Sequence, residues 1–216
     1  MSLTLYFHPL ASFCHKVLVA LYENDTPFTP HFVDLMDEAQ NAAFKKLWPV
    51  GKFPVLRDDT RNRTIPESTT IIEYLARHYP GPSKLIPENA EAAFETRALD
   101  RFYDLHVHEP MQKIIVDRLR PESRGDKLGV EQARETLNAA LSIVEKDMAR
   151  KTWAAGEAFS MADCAAAPPL FYINMAVAPL AGRFGNLATY LERLMKRPSY
   201  ARALKDAEPY FQYVPR

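Results

Sequence analysis

Apolar positions recur with two different periods along this chain. Leu3-Thr4-Leu5-Tyr6-Phe7 is a short β-prone run ended by His8-Pro9, which predicts a strand. After Ser12, the residues Phe13, Val17, Ala20 and Leu21 recur at i, i+4, i+7 and i+8, the spacing of one helix face. Residues 28–33 read as a second strand, which Pro30 confines to a sheet edge because proline lacks a ladder donor. Residues 53–57 and 63–65 flank the polar turn 58–62 and predict a hairpin. Ile71, Ile72, Leu75, Ala76 and Tyr79 then mark a helix. The order over residues 1–79 is β-α-β-α-β-β-α, an α/β unit.

Pro80-Gly81-Pro82-Ser83 breaks that helix and Pro87 follows, so residues 80–88 read as a linker. From residue 89 to 216 the pattern holds no strand. Phe94, Ala98 and Phe102 open one helix. Val130, Ala133, Leu137, Leu141, Val144 and Met148 form a second stripe, and Leu187, Tyr190, Leu191 and Leu194 a third. Ser160-Met161-Ala162-Asp163 has the form of a capping box, a hydroxyl and a carboxylate three residues apart that satisfy amides at a helix start. The chain is expected to be α/β plus all-α, with the helical domain at 89–216.

Composition narrows the function classes. Lys+Arg and Asp+Glu are both 27, giving zero formal net charge, without the basic excess that nucleic-acid or acidic-membrane binding draws on. Two cysteines, Cys14 and Cys164, are too few for a disulfide scaffold and suit a reducing cytoplasm. Met1 to Ser12 carries no positively charged leader, and the apolar stretch from Cys164 to Leu180 holds Pro168, Pro169 and Pro179, so no secretory signal or membrane span is expected. There is no CxxC, HExxH or GxGxxG, and His106 and His108, two apart on a helix, point away from each other, so no metal is expected. Cys164 is assigned to the core.

Three short stretches carry chemistry. Ser12 and Cys14 fall where strand one hands over to helix one, and free amides at a helix start favour an anion or thiolate. In Gly51-Lys52-Phe53-Pro54, a proline at a strand entrance is a candidate cis bond. A cis bond there frees the Phe53 backbone N–H and C=O for an extended ligand. Glu67-Ser68 opens the next helix, offering a carboxylate for an ammonium and a hydroxyl and amide for a carboxylate, the two charges of an amino-acid head group.

In this order and combination the motifs resemble the glutathione transferase superfamily over nearly the whole chain. The resemblance rests on Trp48-Pro49-Val50-Gly51-Lys52-Phe53-Pro54-Val55-Leu56, Glu67-Ser68, the capping box and the helical second half. It implies a thioredoxin-like first domain that binds glutathione, with Pro54 cis, Phe53 pairing its backbone with the cysteinyl part, Glu67 and Ser68 holding the γ-glutamyl head, and Lys52 near the glycyl carboxylate. It also implies a hydrophobic pocket in the helical domain for a small electrophile, for which Tyr103, Met111, Phe171 and Tyr172 are candidates. A homodimer follows by the same analogy, with the end of the Glu67 helix near the interface. The chain departs from the family at Phe7, where tyrosine-type members carry the activating Tyr, and at Ala11, where glutaredoxin-like members carry Cys. Ser12 is similar to the slot that a beta-class bacterial enzyme fills with Cys, which makes Ser12 the expected activating residue and Cys14 the second.

The magnitudes allow a serine. A free thiol of pKa ~8.5 is only ~3% thiolate at pH 7, and lowering it by about two units takes ~2.7 kcal/mol. A hydrogen bond to a charged group supplies ~1.5–3 kcal/mol and a helix start ~0.3–1. The expected function is conjugation of glutathione to small hydrophobic electrophiles. The alternatives are a glutathione-dependent reductase or peroxidase using Cys14, and a non-catalytic glutathione-binding or protein-docking module.

Overall fold

Four short strands form one mixed sheet in the order β2-β1-β3-β4, in a computed structural model that describes residues 2–215. They are β1 (Leu3–Phe7), β2 (Thr29–Phe32), β3 (Val55–Asp58) and β4 (Arg63–Pro66). β2 runs parallel to β1 at the edge, exposed along its length, with Pro30 opposite Leu5. β3 is antiparallel to both β1 and β4. The register aligns Tyr6 with Val55 and Val55 with Pro66. The segments after β1, before β3 and after β4 therefore emerge at one end of the sheet.

Three helices alternate with these strands: α1 (Ser12–Glu23), α2 (Glu38–Leu47) and α3 (Ser68–His78). Leu3 and Leu5 are buried on one face. From the other, by the two-residue pleat, Tyr6 packs with Leu35, Leu47, Trp48 and Phe53 around Val33, Phe44 and Val55. α1 is buried on every side over eight successive residues, Cys14 to Leu21, rather than along the single stripe its sequence suggests.

The second half contains α4 (Ala90–Phe102), α5 (Glu109–Asp117), α6 (Lys127–Met148), α7 (Met161–Tyr172) and α8 (Gly185–Lys196). Wider π turns follow α4 at Tyr103–His108 and α7 at Ile173–Val177. The stripes of α6 and α8 are buried as their spacing predicts. α4 reverses the expectation. Phe94 is 68% exposed, and the inward face is Ala93, Thr96 and Asp100, because the packed side of this helix is built from small and polar residues.

At the start of α7 the Ser160 backbone N–H and hydroxyl donate to Asp163 Oδ2 at 2.8 and 3.1 Å. Asp163 Oδ1 accepts from the Ala154 N–H at 2.8 Å and the Tyr190 hydroxyl at 2.6 Å. The carboxylate is a hub joining the α7 start, the preceding loop and α8. Burial pushes its pKa up against those four donors. Cys164 lies in the core one residue later.

A last helix, α9 (Pro198–Ala207), packs along α1. The Tyr22 hydroxyl donates to Asp206 Oδ2 at 2.9 Å, the Ser199 hydroxyl to Glu23, and the Arg202 guanidinium lies 4.1 Å over the Tyr22 ring. That cover is why α1 has no solvent face. The chain accordingly divides into one unit holding the residues through Lys84 with Pro198–Tyr210, and a second holding Leu85–Arg197 with the segment from Phe211. The division falls inside the proline-rich stretch. Ser83 N–H donates to Asn24 Oδ1 at 2.8 Å in the first unit, and Leu85 C=O accepts from Met161 N–H at 2.8 Å in the second. No helix among the described residues is long and apolar enough to cross a membrane.

Candidate functional site

The three loops at the β1–β3–β4 end carry the residues singled out by sequence. Ser12 is the first residue of α1 and half-buried, with Ala11 in extended backbone as the N-cap. The Ala11 C=O accepts from the Cys14 and His15 amides at 2.8 and 3.1 Å, which closes the first turn and leaves Ser12 at its lip. Cys14 faces the core with no exposed surface, and burial pushes its thiol pKa far up. Two residues apart, the hydroxyl and the thiol point into different surroundings. Only Ser12 is accessible.

In the second loop, Gly51 adopts φ +67°, the left-handed conformation glycine takes without a Cβ penalty, and turns the chain so that Lys52 is exposed. The Phe53–Pro54 bond is cis. The Phe53 N–H and C=O lie just outside the β3 ladder and have no hydrogen-bond partner among the described residues. Pro54 is buried beneath. A free donor and acceptor on one residue at the end of a strand is what an extended peptide-like ligand needs for two-point pairing.

In the third loop, Glu67 sits at φ +67° and ψ 119° as N-cap of α3. A non-glycine residue there carries strain of about 1–3 kcal/mol. Its side chain is exposed, and Ser68, the first helical residue, is buried. The buried Lys16 of α1 donates from Nζ to Thr69 Oγ1 at 2.8 Å, tying the first turn of α3 to α1.

Sequence reasoning missed a ring at the centre of this end. His8, directly after β1, stacks on Phe53 with centroids 6.1 Å apart and planes 18° apart. Phe32, at the end of β2, approaches it at 5.2 Å, and Tyr210 at 5.8 Å. The His8 signal is its place at the end of a strand, before proline. Tyr210 has none, being some two hundred residues away in sequence.

In the second unit, Tyr103, Met111 and Tyr172 are buried in the core, and Phe171 packs on Phe211 at 5.3 Å. A cleft there is lined instead by Leu137, Leu141, Ile173 and Phe184, with Arg134 and Arg183. His108 is buried and His106 exposed, so the two do face apart.

The model of the glutathione S-transferase N-terminal domain matches residues 5–83, and that of the C-terminal domain residues 107–198. The chain is 31% identical to FtsZ-localized protein A of Caulobacter vibrioides, over 95% of this chain and 92% of that one. It is 26% identical to glutathione S-transferase GstB of Escherichia coli K12, over 85% and 88%. Among solved structures, a glutathione S-transferase from Methylobacillus flagellatus with GSH bound superposes with a TM-score of 0.85 at 25% identity, covering 94% of this chain and 98% of that one.

Proposed function

This chain belongs to the glutathione S-transferase superfamily, and on that premise we propose that it binds glutathione at the β1–β3–β4 end of the first unit and conjugates it to small hydrophobic electrophiles. The observation that carries the reading is the convergence, on one row of the sheet, of a half-buried serine at a helix start, an unpaired backbone N–H and C=O, and a carboxylate beside a second helix start. Phe53 pairs with the cysteinyl backbone, Glu67 takes the γ-glutamyl ammonium, and Ser68 with the first amides of α3 takes its carboxylate. Lys52 is left to the glycyl carboxylate. That order sets the ligand thiol toward Ser12.

The Ser12 hydroxyl donates to the sulfur, and the partial positive charge of the α1 start adds to it. Both favour the thiolate over the thiol. The thiol proton leaves to solvent, and the sulfur lone pair forms a C–S bond while the electrophile's leaving group, or its π pair, takes the displaced electrons. Cys14 has no part in this step, because burial keeps it protonated and out of reach.

The protein acts as a cytoplasmic homodimer in this reading. Phe94 of α4 and Leu105 in the following π turn are exposed apolar side chains of the kind that a subunit contact covers. Two-fold pairing is the commonest closed assembly, and zero net charge adds no long-range repulsion.

The relative named for its localisation with FtsZ favours a second reading, a glutathione-binding or protein-docking module without turnover. Titration calorimetry with glutathione, followed by a turnover screen with aryl halides, enals and organic peroxides, separates the two. Binding with conjugation supports the transferase. Binding without any turnover supports the module, and absence of binding removes the glutathione assignment.

A further inference from the structure

The aromatic cluster at the head of the sheet has a polar centre. His8 Nδ1 accepts a hydrogen bond from the Leu10 N–H at 3.1 Å, and the His8 C=O accepts from the Ala11 N–H at 3.0 Å. One residue thus holds two successive amides of the segment that delivers Ser12. Its ring lies face to face with Phe53, the residue whose free backbone flanks the same site. Phe32 and Tyr210 close the ring in from two other sides.

Resting on the transferase reading above, we propose that His8 is a positioning residue for the thiol subsite: its neutral imidazole fixes the Ser12 segment through Leu10 while its face braces Phe53, so that one ring sets the distance between the two.

The link has a chemical condition. Nδ1 accepts only while it is unprotonated, and the imidazolium has donors on both nitrogens and no acceptor. Burial holds the His8 pKa below its ordinary value, and the Asp34 carboxylate opposes this. The other titratable groups facing it are the Cys14 thiol of α1, in contact with the His8 backbone, and the Tyr210 phenol. Phe32 and Phe53 bring no charge. The acceptor therefore survives as pH falls through the ordinary histidine range and is lost only below it, where the Nδ1 link to the Leu10 amide breaks.

The test follows the Leu10 and Phe53 amide signals of the full-length ¹⁵N-labelled protein by NMR from pH 7.5 to 5. Glutathione affinity is measured on the same samples. Both amides are expected to shift with one shared midpoint below ~6.5. His8→Phe, which keeps a ring but no acceptor, should abolish that step and weaken glutathione about fivefold at pH 7.5. His8→Ala, which removes both, should weaken it further. Wild-type affinity should fall toward that of His8→Phe as pH drops. A Leu10 amide that ignores the His8 titration overturns the proposal, and so does a folded His8→Ala with wild-type affinity. The wild-type titration needs no variant and decides the bracing even if a variant misfolds. A wild-type protein that shows the coupled shifts but binds no glutathione would retire the functional reading and leave the bracing in place.

Discussion

The Tyr79 hydroxyl donates to Asp58 Oδ2 at 2.7 Å, pinning the residue that ends α3 to the last residue of β3. Tyr74 donates to the same oxygen at 2.7 Å, and the Arg61 backbone N–H donates to Oδ1 at 3.1 Å. Burial alone would raise the Asp58 pKa, but these donors and the Arg61 charge outweigh it and hold it down at about 2.

An acid limb in stability follows. The unfolded carboxyl titrates near ~3.9, so the contribution is complete above that pH and is lost as pH falls through about 2. Its size is on the order of 1–2 kcal/mol. Urea unfolding at pH 7, 4, 3 and 2 should show the wild type losing stability more steeply than Asp58→Asn. Parallel curves would remove Asp58 from the account.

Ser12 and Cys14 separate cleanly by substitution. Ser12→Ala should lower kcat/KM for glutathione conjugation about tenfold to a hundredfold, the worth of one hydrogen bond to a charged sulfur. Cys14→Ala should leave turnover per folded molecule unchanged and cost about 1 kcal/mol of stability, since the thiol only fills core. Steady-state kinetics and thermal melts on the two variants read both. The reverse pattern would favour a thiol reductase.

Glu67 combines function with strain. Glu67→Ala should weaken glutathione binding roughly tenfold to a hundredfold through loss of a charge-assisted contact. Glu67→Gly should weaken binding equally yet raise unfolding free energy by about 1 kcal/mol, because glycine accepts the +67° φ without penalty. Calorimetry paired with denaturant melts tests this, and an unchanged dissociation constant in both variants would take Glu67 out of the site.

Asp163 is a folding residue. Asp163→Ala strands the Tyr190 hydroxyl and the Ala154 and Ser160 amides in the core, which should cost at least about 3 kcal/mol. Thermal unfolding is the measurement. Activity per folded molecule should not change.

The proposed subunit contact is tested by light scattering at micromolar concentration, with an expected mass of twice the chain. Phe94→Glu should shift the population to the single-chain mass without altering the far-ultraviolet circular dichroism. A monomeric wild type that still turns over would sever pairing from activity.

Much of this was legible in the sequence because it rests on local signals. The edge position of β2 follows from Pro30, the α7 cap from the Ser160–Asp163 spacing, and the buried faces of α6 and α8 from their apolar period. The α4 stripe misled because hydrophobic spacing reports which residues share a face, not which way that face points. With Thr96 and Asp100 turned inward, Phe94 is turned out. The all-round burial of α1 and the approach of Tyr210 to His8 depend on contacts between chain segments nearly two hundred residues apart, and no local period records those.

The return of α9 to α1 also has a consequence for biosynthesis. The sheet and its first three helices leave the ribosome before residue 85, but their outer cover at Pro198–Tyr210 is made only after all of Leu85–Arg197. Until then the outer side of α1, including Tyr22 and Glu23, stays uncovered. The first part of the chain to be synthesised is thus among the last to be finished, and a truncation or frameshift near residue 198 would strip the cover from the amino-terminal unit, far from the break in sequence, as well as taking Phe211 from Phe171 in the helical unit.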